Sequence, residues 1–190
     1  MFVRNEETPN PLTLKFIPDG ETVCQSGTHE FKKPSDAESI SPLALQLFNI
    51  EGVKSIFFGK DFITITKTEA GNWSLIKSES NATIMDFFVS GRPIFFDTKS
   101  KKDQSSGEND SEVVKQIKEL IEIKVRPAVA MDGGDIIFDS FEEGIVRLKL
   151  KGACSGCPSS TITLKNGIEN MLKHYVPEVE LVEQVMDDEY

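Results

Sequence analysis

Lys99-Ser-Lys-Lys-Asp-Gln-Ser-Ser-Gly-Glu-Asn-Asp110 carries no hydrophobic side chain and mixes both charge signs with Ser and Gly, the composition of a solvated linker. A chain of 190 residues fits one large domain or two small ones, and this run decides for two. The boundaries that follow are 1–98 for an N-terminal domain, 99–110 for a flexible linker and 111–190 for a C-terminal domain. Charge divides with them: nine basic and thirteen acidic residues precede the linker, and nine and fifteen follow it. Neither domain offers a basic face, and the net charge of −10 repels phosphate backbones and anionic membrane surfaces, so nucleic acid is not an expected partner. With 38% hydrophobic residues there is enough apolar side chain for packed cores. The longest run without Asp, Glu, Lys or Arg is Gly152 to Leu164, 13 residues, too short and too polar for a membrane helix.

C-terminal to the linker, Asp110 or Ser111 can cap a helix whose apolar stripe is Val113, Val114, Ile117, Leu120, Ile121 and Val125, ending before Pro127. Ile136-Ile-Phe138 and Ile145-Val-Arg-Leu-Lys-Leu150 then form the arms of a hairpin around Glu142-Glu143-Gly144. Val146, Leu148 and Leu150 face away from Arg147, Lys149 and Lys151, so one sheet face is solvated. Leu164, Ile168, Leu172 and Tyr175 give a second helix, ended by Pro177, and Val179, Leu181 and Val185 share a face of a last strand. The order is helix, hairpin, helix, strand.

N-terminal to the linker, Pro9-Asn-Pro11 reads as a rigid lead-in to a first strand, Leu12–Ile17, which runs into the turn Pro18-Asp-Gly20. Ser41-Pro42 supplies a cap and a first-position proline for a short buried helix. Val53–Phe58 and Phe62–Thr66 make a hairpin, and Trp73, Ile76, Ile84, Phe87 and Phe88 a helix broken or bent around Ser78 to Asn81. The fold class is α+β: two small domains of helices and strands joined by the linker.

The chemistry lies between the C-terminal hairpin and the second helix, in Gly152-Ala-Cys154-Ser-Gly-Cys157-Pro158. Thiols at the start of a helix are biased toward thiolate by the helix dipole, which suits metal binding and redox chemistry alike. Three cysteines, Cys24, Cys154 and Cys157, are too few for a disulfide scaffold and favour a reducing compartment. Zinc, a thioredoxin-like dithiol and an iron–sulfur site remain open for the pair. A thioredoxin-like fold needs more chain than the 33 residues after Cys157, and a zinc module lacks its second ligand pair at the usual separation. Metal sites of either kind want about four protein ligands, and this domain offers two sulfurs; a symmetric dimer supplies four, solvent-exposed on the two-fold axis. Asp132-Gly-Gly-Asp135 reads as a turn capped by its acids rather than a ligand set. Cys24, His29 and His174 read as packing or surface residues.

Arg126-Pro127, Asp132-Gly-Gly-Asp135-Ile136 and Gly152-Ala-Cys154-Ser-Gly-Cys157-Pro158-Ser-Ser160 resemble the C-terminal domain of NifU-like iron–sulfur scaffolds. Thr8-Pro-Asn-Pro11 with Leu14-Lys-Phe16, Ser41-Pro-Leu-Ala44 with Leu47-Phe48, and Gly52-Val53 through Asp61-Phe-Ile-Thr64 resemble the N-terminal domain found with it in Nfu-type proteins. The resemblance implies a non-enzymatic scaffold and carrier with no catalytic residues. Its implied cargo is a 4Fe-4S cluster of iron and sulfide, ligated by Cys154 and Cys157 and shared in a homodimer when loaded. Implied partners are apo iron–sulfur proteins as recipients and an upstream cluster donor. Glu6 and Glu7 come early and no apolar run follows Arg4, so neither a secretory signal nor a transit peptide is legible. The expected place is the bacterial cytoplasm, or the mitochondrial matrix for a processed eukaryotic form.

Overall fold

The computed structural model describes residues 2–96, 110–155 and 158–185, leaving aside the side chains of 158–164. The expected linker, apart from Asp110, and Cys157 lie outside the described residues. The chain forms two compact units, 1–100 and 101–190, each with its own hydrophobic core.

In the first unit, strands β1 (Val3–Glu7), β2 (Thr13–Pro18), β3 (His29–Phe31), β4 (Val53–Phe58) and β5 (Ile63–Lys67) form one antiparallel sheet in the order β1-β2-β5-β4-β3. Helices α1 (Pro34–Ala37), α2 (Pro42–Phe48) and α3 (Trp73–Val89) complete it. Ser41 caps α2 by accepting from the Ala44 amide, and Pro42 sits where a helix does not need its missing donor. Leu43 and Leu47 of α2 with Ile76, Ile84 and Phe87 of α3 join Phe16, Ile56, Phe58, Ile63 and Ile65 of the sheet in the core.

Two expectations are corrected here. Residues 9–11 are not a lead-in to the first strand: β1 precedes them, and Asn10 is buried in the hairpin loop, its Oδ1 accepting from Leu12 N at 3.0 Å. Helix α3 is unbroken through Ser78 to Asn81. Ser78 Oγ donates to Ser74 O at 3.0 Å and Asn81 exchanges hydrogen bonds with Asn5 of β1 at 2.9 and 3.0 Å, so these two polar side chains are satisfied without leaving the helix, while the buried Ser80 hydroxyl has no hydrogen-bond partner among the described residues.

The second unit opens with α4 (Glu112–Leu120), capped by Ser111, which accepts from Val114 N. The helical path does not end before Pro127. A π-helical turn over Ile121–Val125 leads into α5 (Arg126–Met131), where Pro127 stands in the first turn, a place that needs no amide donor. The π-turn also keeps the face in register. Ile117, Ile121, Val125 and Val129 are all buried at four-residue spacing, which in a regular α-helix overshoots by about 40° per step. The wider turn takes part of that drift back.

Strand β6 (Gly134–Glu142) pairs antiparallel with β7 (Ile145–Gly152). The two-residue turn between them has positive φ at both Glu143 and Gly144, the conformation that matches strand twist. Helix α6 (Pro158–Tyr175) then crosses back so that β8 (Leu181–Gln184) adds parallel to β7. Within β8 the inward residue is Val182, opposite Val146, rather than Leu181; Val179 is buried before the strand begins, so the expected alternation is off by one. Ile117, Val129, Ile136, Val146, Leu148, Ile168, Leu172 and Val182 fill the core.

Candidate metal centre

Cys154 is held where the second unit's hairpin ends. Gly152 pairs with Gly134 at the last rung of the β6–β7 ladder, and its positive φ of 66° turns the chain out of the strand. Ala153 N then donates to Gly133 O at 3.1 Å, and Ser155 N to Gly152 O at 3.0 Å, so the backbone around Cys154 is tied to the turn between α5 and β6.

That turn is Asp132-Gly133; Gly134 and Asp135, expected in the same turn, are instead the first residues of β6. Gly133 takes a left-handed φ of 82° just past the end of α5, and its amide returns to Ala130 O at 3.1 Å. Gly134 is needed for a different reason. A Cβ there would lie 2.8 Å from Cys154 Sγ and 2.6 Å from Lys151 O, so the missing side chain is the space the sulfur packs into.

Asp135 is clamped rather than merely capping. Arg126 Nε donates to Asp135 Oδ1 at 2.8 Å and Nη2 to Oδ2 at 3.1 Å, while Oδ1 also accepts from Ile136 N at 2.8 Å. The Asp135 side chain is 4% exposed. Arg126 reaches Glu122 Oε2 as well, at 2.6 Å, and the Asp135 hydrogen bond, foremost among these contacts, raises the guanidinium above its already high ordinary value. The fork fastens α5 to the first residues of β6, on either side of the glycine pair.

Cys154 is 3% exposed and belongs to the hydrophobic core of its unit, not to the surface as expected of a cluster ligand. The Gly134 seat is the physical reason. As a donor it is a soft sulfur, suited in its thiolate form to iron or zinc. Among the described residues no group of three or more His, Cys, Asp or Glu side chains converges on a metal site. Cys24 is buried in the first unit, with Sγ donating to Phe58 O at 3.7 Å. His29 is half-buried with its ring 4.7 Å from that of Phe95, and His174 is exposed beside Tyr175. Sequence reasoning singled out Arg126, Gly134 and Asp135 as motif residues but missed the ion pair; the signal available was an acid placed directly before the core residue Ile136 at the start of a strand. No described helix is long and apolar enough to cross a membrane.

Two family descriptions match this arrangement: "NifU-like domain" over residues 117–183 and "Scaffold protein Nfu/NifU N terminal" over residues 3–91. A curated human relative, "NFU1 iron-sulfur cluster scaffold homolog, mitochondrial", is 56% identical over 190 residues, all of this chain and 74% of its own length. The protein of the same name from Drosophila willistoni is 52% identical over 99% of this chain and 65% of its own, so this chain spans about two thirds to three quarters of such relatives. A solution structure of a NifU-like protein from Saccharomyces cerevisiae aligns with 50% of this chain and 85% of its own, at 27% identity and a TM-score of 0.45. The two matched domains define an Nfu-type scaffold protein. The chain belongs to the NFU1 iron–sulfur cluster scaffold family.

Proposed function

We propose that this chain is a non-enzymatic carrier that binds a 4Fe-4S cluster through the Cys154 and Cys157 thiolates, shares it with a second copy of itself, and passes it to apo iron–sulfur proteins. The observation that carries the reading is a sulfur count inside a family match. A NifU-like domain offers two cysteines, Cys154 and Cys157, against the roughly four protein ligands such a cluster takes. Two copies supply the set without recruiting Cys24 or either histidine. A cluster held by few protein bonds at the junction of two chains is cargo that a recipient's own thiolates can take over by ligand exchange. The hydrophilic run 99–110 serves as the tether between a cluster-bearing unit, 111–190, and an N-terminal unit, 1–98, that engages a donor or a recipient. The names of the relatives favour a mitochondrial place over a bacterial cytoplasm.

Anaerobic reconstitution with iron and sulfide, followed by iron, sulfide and zinc analysis per chain, tests the reading. The expected content is roughly two iron and two sulfide per chain, half of one four-iron cluster. Cys154→Ser and Cys157→Ser should each reduce it to background. Zinc without sulfide would make the pair a structural bridge, and a reducible Cys154–Cys157 disulfide with no metal would make it a dithiol oxidoreductase; either result sinks the carrier.

A further inference from the structure

In the fold as it stands the Cys154 sulfur is turned inward, whereas a ligand shared with a second chain must point outward. Three features of the described residues bear on the inward seat. Gly134 leaves the space that Sγ fills, at a distance where a Cβ would lie 2.8 Å away. The Ala153 N to Gly133 O hydrogen bond, 3.1 Å, holds the cysteine-bearing turn against the glycine pair. The bidentate Arg126–Asp135 pair fixes the glycine pair by joining α5 to β6 immediately on its far side. Reactions of a thiol in a buried, close-packed seat wait on local opening.

We infer that Gly134, held in place by the Arg126–Asp135 fork, is a positioning residue that shelters the Cys154 sulfur in the apo chain and sets how readily that sulfur is presented to iron. The part about iron rests on the carrier reading; the sheltering does not. Filling the seat favours the outward sulfur, because overpacking is relieved by expelling the smallest mobile group. Loosening the fork has the same direction and a smaller size, because the glycine pair then moves rather than fills.

The experiment uses the full apo chain, kept reduced and anaerobic, and measures iodoacetamide labelling of Cys154 by peptide mass spectrometry, with Cys24 as the sealed-thiol reference. Amide exchange of Ile136, Val146 and Leu148 is followed on the same samples, as a record of the β6–β7 ladder. In the native sequence Cys154 should label slowly, and in Gly134→Ala roughly tenfold faster. The added methyl would also meet Lys151 O at 2.6 Å, so a milder variant runs beside it: Arg126→Lys keeps the charge and loses the fork. It should accelerate labelling by a smaller factor with the ladder still protected. The inference is overturned if native Cys154 labels as fast as an exposed thiol, if neither variant changes its rate, or if labelling rises only in step with lost ladder protection. A chain that takes up no iron and sulfide yet shows this release would keep the inference and lose the carrier reading.

Discussion

Cys24 and Cys154 are both buried, and what surrounds each sulfur gives them different chemistry. Cys24 lies in the packed core of the first unit, 1% exposed, and burial pushes its thiol up from an ordinary value of 9.0 to about 12. Because the folded value is raised, the stability it contributes is complete below pH 9 and is lost as pH rises toward 12, where the unfolded chain ionises and the folded one does not. The slope is at most about 1.4 kcal/mol per pH unit. The Trp73-reported urea midpoint of the first unit should therefore fall between pH 8.5 and about 10.5 more steeply in the native chain than in Cys24→Ala. Equal slopes would show that the thiol titrates as though exposed. At this scale the sequence reads Cys24 as packing, as its place in the first unit's core bears out, and singles out the close cysteine pair as the expected chemical residues. It hid the Arg126–Asp135 pair, because nine residues separate the partners and only the α5–β6 turn brings them together.

Elements were legible wherever side-chain periodicity carried them. The β4–β5 and β6–β7 hairpins, the capped start of α2 and the helix at Glu112 all follow from alternation, turn residues and caps. Those decided by tertiary partners were not. Strand β1, Val-Arg-Asn-Glu-Glu, has no buried residue and exists by pairing with β2, and the polar middle of α3 is satisfied partly by Asn5 of that strand. The short strand β8 is placed by a different kind of contact. Glu169 of α6 accepts from Val182 N at 3.0 Å and from Lys173 Nζ at 2.7 Å, and the Lys173 bond, followed by that of Val182, holds its carboxyl below the ordinary carboxylate value. With the folded value lowered, this docking is at full strength above the unfolded carboxylate range and fades as pH falls through the folded value. Glu169→Gln should lower the urea midpoint read at the Val182 amide at pH 7 and flatten its decline on acidification toward pH about 4. An unchanged decline would mean that other carboxylates control β8.

For the whole molecule the governing quantity is charge. On the proposed two-chain ligation, a chain of −10, with nine basic and fifteen acidic residues in 111–190, is brought together with an identical one. Bridging thiolates must hold the pair against like-charge repulsion, and exposed charges more than a Debye length apart stop opposing it once salt screens them. That length falls from about 30 Å at 0.01 M to about 8 Å at 0.15 M ionic strength. The loaded protein should therefore dimerise more tightly as salt rises over that range, the reverse of an interface built on exposed ion pairs, which salt weakens. Sedimentation equilibrium of the anaerobically reconstituted chain at the two salt levels measures the direction, with the apo chain as reference for association that needs no cluster. Chelating the iron should return the loaded sample to the apo distribution at both levels. A dimer that weakens with salt, or that survives chelation, would mean that protein contacts and not shared thiolates hold the two copies, and the two-chain ligation of the cluster would have to be given up.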